Sequence, residues 1–178
     1  MNESRTAVLV AYATKHGSTH EVAETIAARL REHELEVEVW AAAEVERLDP
    51  YDAVVVGGAL YMGRLHRDAR RLLARFRQEL AAMPLAVFAM GPLTTAEKDV
   101  AGARRQLDRA LSRTPEIEPI AVAIFGGVVH PEELRFPFSH MPESDARDRE
   151  AIDAWADEFA SALAGRSAAV RGSRAVLS

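Results

Sequence analysis

The sequence predicts an α/β protein built on a parallel β-sheet with helices on both faces. Two observations carry this. Five short apolar runs recur along the chain, and amphipathic stretches of helical period separate them. Consecutive strands joined by helices require right-handed crossovers and therefore pair in parallel. At 178 residues, with 48% hydrophobic residues, the chain fits one domain with a substantial core.

Ala7–Ala13 (AVLVAYA) is continuously apolar, as expected of a strand buried on both faces. Ser18–His33 follows as a helix, with Val22, Ala23, Ile26, Ala27 and Leu30 on one face. Leu35–Ala41 alternates apolar and polar residues, the pattern of a strand nearer an edge. Asp49-Pro50-Tyr51-Asp52 marks a turn into a third strand, Ala53–Ala59. Leu65–Leu80 reads as a helix, Leu85–Met90 as a fourth strand, Thr95–Arg113 as a charged helix and Ile120–Phe125 as a fifth strand. Residues 126–145 read as irregular. Asp148–Leu163 closes the fold as a helix, with Ile152, Trp155, Ala156, Phe159 and Leu163 facing inward. One domain over residues 6–164 is expected, with 165–178 as a frayed tail.

Composition narrows function. With no cysteine, the chain has no disulfide, no thiolate metal site and no cysteine nucleophile; this is compatible with a reducing cytosol. The formal net charge of −5 argues against nucleic acid as the main partner. The N-terminus carries no secretory leader pattern. No apolar run approaches the roughly 20 residues of a membrane helix. Cytoplasmic location is expected, with at most peripheral contact at the inner face of the cell membrane.

Doubly wound sheets bind ligands at the carboxyl ends of their strands. The loop after the first strand is Thr14-Lys15-His16-Gly17-Ser18-Thr19, leading straight into a helix. Gly17 permits unusual backbone geometry and close approach. Ser18, Thr19 and the free amides of the first helical turn suit a phosphate monoester. The alternative is helix capping by Ser18 or Thr19, with Lys15 and His16 solvated. Neither the P-loop nor the Gly-x-Gly-x-x-Gly spacing is present. After the third strand, Gly57-Gly58-Ala59-Leu60-Tyr61-Met62-Gly63 offers glycines around an aromatic ring, with Tyr61 a stacking candidate for a flat ligand. Met90-Gly91-Pro92-Leu93-Thr94-Thr95 and Gly126-Gly127 follow the next two strands. Together these loops point to a flat, phosphorylated ligand.

These segments resemble the flavodoxin family. Thr14, Gly17 and Thr19 match its phosphate loop, Thr/Ser-x-Thr-Gly-x-Thr, whereas His16 stands where a hydroxyl residue is usual. The resemblance implies a three-layer α/β/α sandwich with a five-stranded parallel sheet in the order 2-1-3-4-5. It implies FMN held by its phosphate at Thr14, Lys15, His16, Gly17, Ser18 and Thr19. The ring would lie between Gly58, Ala59, Leu60, Tyr61, Met62 and Gly63 on one side and Met90, Gly91, Pro92, Leu93 and Thr94 on the other. Within the family, the chain looks most like the menaquinone-dependent protoporphyrinogen oxidases. That likeness rests on Tyr12–Thr19, Val56–Gly63 followed by Arg64-Leu65-His66, Phe125-Gly126-Gly127, and Arg147-Asp148 leading to Ala151–Ala156; Arg149 stands where many relatives have an aromatic.

The implied function is an FMN-dependent oxidoreductase of heme biosynthesis, with a small-molecule substrate and a quinone acceptor, and with a homodimer as an open possibility. The alternative is an electron carrier that serves redox proteins and has no small substrate. A third reading is a domain that has lost FMN, for which His16 is the only visible support. No metal site is expected, and no acid–base residue is required for electron transfer. His66 and His130 read as surface or capping residues rather than proton relays. Residues 64–80 hold six arginines against Asp68 and Glu79. They read as a solvated face, or as a contact for anionic lipid or a carboxylate-bearing substrate. Leu134, Phe136, Phe138 and Met141 form either a greasy lip beside the flavin or a loop folded on itself.

Overall fold

In the computed structural model, residues 5–15, 17–91, 97–126, 128–129, 144–145 and 148–176 are described. The main sheet contains β1 (Ala7–Ala13), β2 (Glu36–Ala41), β3 (Ala53–Tyr61), the short β4 (Arg64–Leu65), β5 (Leu85–Met90) and β6 (Ala121–Phe125). Its order is β2-β1-β3-β5-β6, with β4 pairing beside β3. The five long strands are all parallel. Counted without β4 they run 2-1-3-4-5, the order implied by the family resemblance. The two-residue strands β7 (Val128–Val129) and β8 (Ser144–Asp145) form a separate antiparallel pair within the stretch read as irregular.

The strand patterns follow their neighbours. β5 is buried at every position and β3 over its first six residues, because both lie inside the sheet. β2, at one edge, alternates exposed and half-buried residues. Side chains alternate between the two faces, so each central strand feeds two cores. Val8, Val10, Val55, Ala86 and Phe88 pack with α1 (Ser18–Glu32) and α5 (Arg149–Val176). Leu9, Ala11, Val54, Val56, Val87 and Ala89 pack with α2 (Arg67–Arg75), α3 (Arg77–Ala81) and α4 (Glu97–Leu111).

Three boundaries differ from the sequence reading. The helix expected over 65–80 is two helices, separated at Phe76, whose φ of −103° and ψ of 22° leave the α region. β3 runs on to Tyr61 and turns back through Met62-Gly63 into β4. Both turn residues have positive φ, 49° and 74°. A two-residue hairpin needs that geometry to match strand twist, and a methionine does not announce it. Finally, α5 runs to Val176, so most of the expected frayed tail is helical.

Candidate functional site

Strand register gathers the candidate loops. Ala13 of β1 lies opposite Gly58 of β3, and Ala59 of β3 lies opposite Met90 of β5. The three loops therefore leave the same edge of the sheet side by side.

In the first loop, Gly17 occupies the cap position of α1 with φ 88°, ψ −20°. A Cβ there would meet nothing within 4 Å, so the requirement for glycine is one of backbone conformation. The Gly17 N–H donates to Thr14 Oγ1 at 2.9 Å, which folds the loop back on itself. No side chain caps α1. This removes the capping alternative for Ser18 and Thr19, which already lie inside the helix. Thr19 is fully buried, yet its Oγ1 has no hydrogen-bond partner. A buried hydroxyl without a partner costs about 1–3 kcal/mol, so this atom marks a place where a polar partner is wanted.

Lys15 does not simply face solvent. Its Nζ lies 5.2 Å from the centre of the Tyr61 ring, tying the first loop to the β3–β4 hairpin. Tyr12, at the end of β1, stacks on His20 of α1 with ring centres 4.4 Å apart. Sequence reasoning missed both contacts, since neither pair has a spacing that signals proximity. Tyr61 is 50% exposed and Met62 73% exposed. They leave an aromatic face and a thioether open at the tip of the hairpin.

The glycines of β3 and β5 serve packing. A Cβ on Gly57 would fall 2.0 Å from Phe88 Cζ. One on Gly58 would fall 2.8 Å from Leu65 Cδ1 and 3.0 Å from Ala69 Cβ, so this glycine lets the hairpin and α2 close onto the strand. One on Gly91 would meet Ile124 and Ala103 at 2.7 and 3.1 Å. Gly91 also donates its N–H to Phe125 O at 2.7 Å. Leu60 packs against the α2/α4 core, and Met90 is buried in the α1/α5 core. Ala59 accepts the His66 N–H at 2.8 Å. His66 caps α2, its Nδ1 accepting from the Asp68 N–H at 3.2 Å. His16, Pro92, Leu93, Thr94 and His130 lie outside the described residues, as do Leu134, Phe136, Phe138 and Met141. Among the described residues, no group of three or more His, Asp or Glu could hold a metal. No described helix is long and apolar enough to cross a membrane.

A family model for the flavodoxin domain matches residues 9–141, well over half the chain. The chain belongs to the flavodoxin-domain family. Solved flavodoxins share its fold at low identity. Oxidised flavodoxin 2 from Bacillus cereus is 24% identical with a TM-score of 0.60, over 88% of this chain and 99% of that one. The C101A mutant of the Pseudomonas aeruginosa flavodoxin is 21% identical with a TM-score of 0.59, over 89% and 99%. A flavo di-iron protein mutant from Thermotoga maritima is 15% identical with a TM-score of 0.56, over 90% of this chain but 36% of that one. No curated protein sequence matches the chain. Membership of the flavodoxin-domain family makes FMN the cofactor. The residues present suit it: a left-handed glycine, a helix start without a side-chain cap, and a buried hydroxyl without a partner.

Proposed function

We propose that this flavodoxin-domain protein is an FMN-dependent electron carrier that exchanges electrons with redox protein partners. Bound FMN supplies the redox chemistry; the protein orients it, excludes water and sets its potential. The observation that carries the reading is Thr19, whose buried Oγ1 lacks a partner beside an uncapped helix start. Thr14–Thr19 would hold the phosphate through loop amides, hydroxyls and the positive end of α1. Gly58–Gly63 and Met90–Thr94 would flank the ring, with the Tyr61 face as the aromatic contact.

A second reading, protoporphyrinogen oxidation with a quinone acceptor, is favoured by the basic character of residues 64–80. A carrier that docks on positively charged partners presents acidic surface, whereas a carboxylate-bearing substrate or an anionic membrane surface would be met by arginine. This reading brings with it heme biosynthesis, peripheral membrane contact and a possible homodimer. Anaerobic kinetics separate the two. The carrier reading expects the photoreduced, FMN-loaded protein to pass electrons to a one-electron protein acceptor, with no turnover of protoporphyrinogen and menaquinone. Sustained quinone-dependent formation of protoporphyrin would overturn the carrier reading and establish the second.

A further inference from the structure

The α2/α4 face carries a groove of about 300 Å³, lined by Arg67, Arg70, Arg71, Ala74, Ala110 and Arg113, among others. Its volume lies at the lower end of the range for small-molecule sites, about 300–1,000 Å³. None of its lining residues belongs to the loops after β1, β3 or β5. Four arginine side chains border this one depression, whose accessible lining is mostly apolar.

Several arginines elsewhere on the surface are committed to partners. Arg29 meets Asp157 and Glu32, Arg104 meets Asp108, and Arg77 faces Glu116. Arg75, on the same helix as three of the groove arginines, is committed to the carbonyls of Val45 and Glu46. In the groove, Arg70 is anchored through Nε to Leu65 O at 2.9 Å, and that bond uses one of its five N–H donors. Arg67 reaches only Asp68, at 3.4 Å. Among the described residues, the side chains of Arg71 and Arg113 have neither a carboxylate nor a hydrogen-bond partner. Gathering four cations around one groove leaves mutual repulsion that Asp68 offsets only in part, and a bound anion would relieve it.

We propose that this groove is a second ligand site, for a small amphipathic molecule bearing at least two anionic groups. The apolar body would lie on Leu73, Ala74 and Ala110. The anionic groups would be clamped by Arg67, Arg70 and Arg71 from α2 and by Arg113 beyond the end of α4. A guanidinium fork suits carboxylate, phosphate or sulfonate alike, because each offers paired oxygens in its plane. The proposal stands apart from the FMN site.

The test is calorimetric titration of the FMN-loaded full chain with 1,5-naphthalenedisulfonate, which has an apolar body and two anions. Naphthalene sulfonate and inorganic phosphate serve as partial probes. One-to-one saturable binding is expected, stronger than either partial probe. It should weaken by about tenfold or more in the double variant Arg71→Gln/Arg113→Gln. Ala74→Glu is the second variant; Ala74 is exposed, and a carboxylate there should occupy the arginines and also weaken binding. The flavin spectrum should stay unchanged in both variants, which keeps this result separate from the FMN assignment. Absence of saturable binding, or affinity in both variants equal to that of the native chain, would overturn the proposal. So would arginine-dependent binding to phosphatidylglycerol vesicles without binding of the disulfonate, which would assign the face to a membrane surface.

Discussion

At the scale of single residues, the site turns on an atom that does nothing for the protein alone. Thr19 Oγ1 is buried without a hydrogen bond, so replacing it with a methyl group costs no internal contact. Thr19→Val should leave apo-protein stability unchanged within about 0.5 kcal/mol, or raise it. If the hydroxyl meets the phosphate, the same change should weaken FMN by about tenfold while leaving riboflavin binding as it was. Urea unfolding of the apo-protein and paired titrations with the two flavins check both halves. Residue chemistry made part of this legible. A glycine preceding two hydroxyl residues at a helix start signals an anion site. The orphaned hydroxyl itself was not legible, because burial and missing partners are properties of the folded environment. The same holds for Gly57 and Gly58. The sequence marks them as possible sites of close ligand approach, whereas their missing Cβ atoms make room for Phe88, Leu65 and Ala69.

At the scale of elements, the β3–β4 hairpin and the α1–α5 contact carry separate predictions. Met62 adopts φ 49° at the first turn position and is 73% exposed. Asparagine tolerates that conformation better than methionine and buries no less at so open a site. Met62→Asn should therefore stabilise the apo-protein by about 0.5 kcal/mol in thermal melting. An accompanying fall in FMN affinity would assign the Met62 side chain to the ring. On the opposite face of the sheet, Asp157 of α5 accepts from Arg29 Nε and Nη2 at 2.7 and 2.9 Å and contacts His33 Nε2 at 2.7 Å. The hydrogen bond from Arg29 is the main reason its carboxyl is pulled down to about 2. A depressed carboxylate contributes stability that is full above its unfolded value, about 3.9, and that disappears as pH falls through the folded one. Denaturation midpoints of the native chain should therefore drop between about pH 4 and pH 2 more steeply than those of Asp157→Asn. Equal slopes would show that this ion pair does not couple α1 to α5. Periodicity sufficed for the strands and long helices because each buries one face or two. It failed at the Phe76 break, the hairpin turn and the length of α5, where backbone conformation rather than the apolar pattern sets the boundary.

At the scale of the whole molecule, alternation of apolar strands and amphipathic helices was enough for a parallel sheet covered on both faces. It was not enough for strand order, because each helix fits either direction of winding. The order rests on the flavodoxin resemblance carried by Thr14–Thr19, Gly58–Gly63 and Met90–Thr95, and the sheet realises it. Register then brings the three loops to one edge, where Lys15 meets Tyr61.

On this reading, the loop edge holds FMN by its phosphate. The decisive measurement follows the absorption spectrum while apo-protein is titrated in parallel with FMN and riboflavin. Saturable binding of FMN with a perturbed flavin spectrum is expected, with affinity for riboflavin lower by about tenfold or more for want of the charged phosphate contacts. Equal affinity for the two flavins would remove the phosphate from the site. A chain that FMN leaves colourless would contradict the cofactor itself.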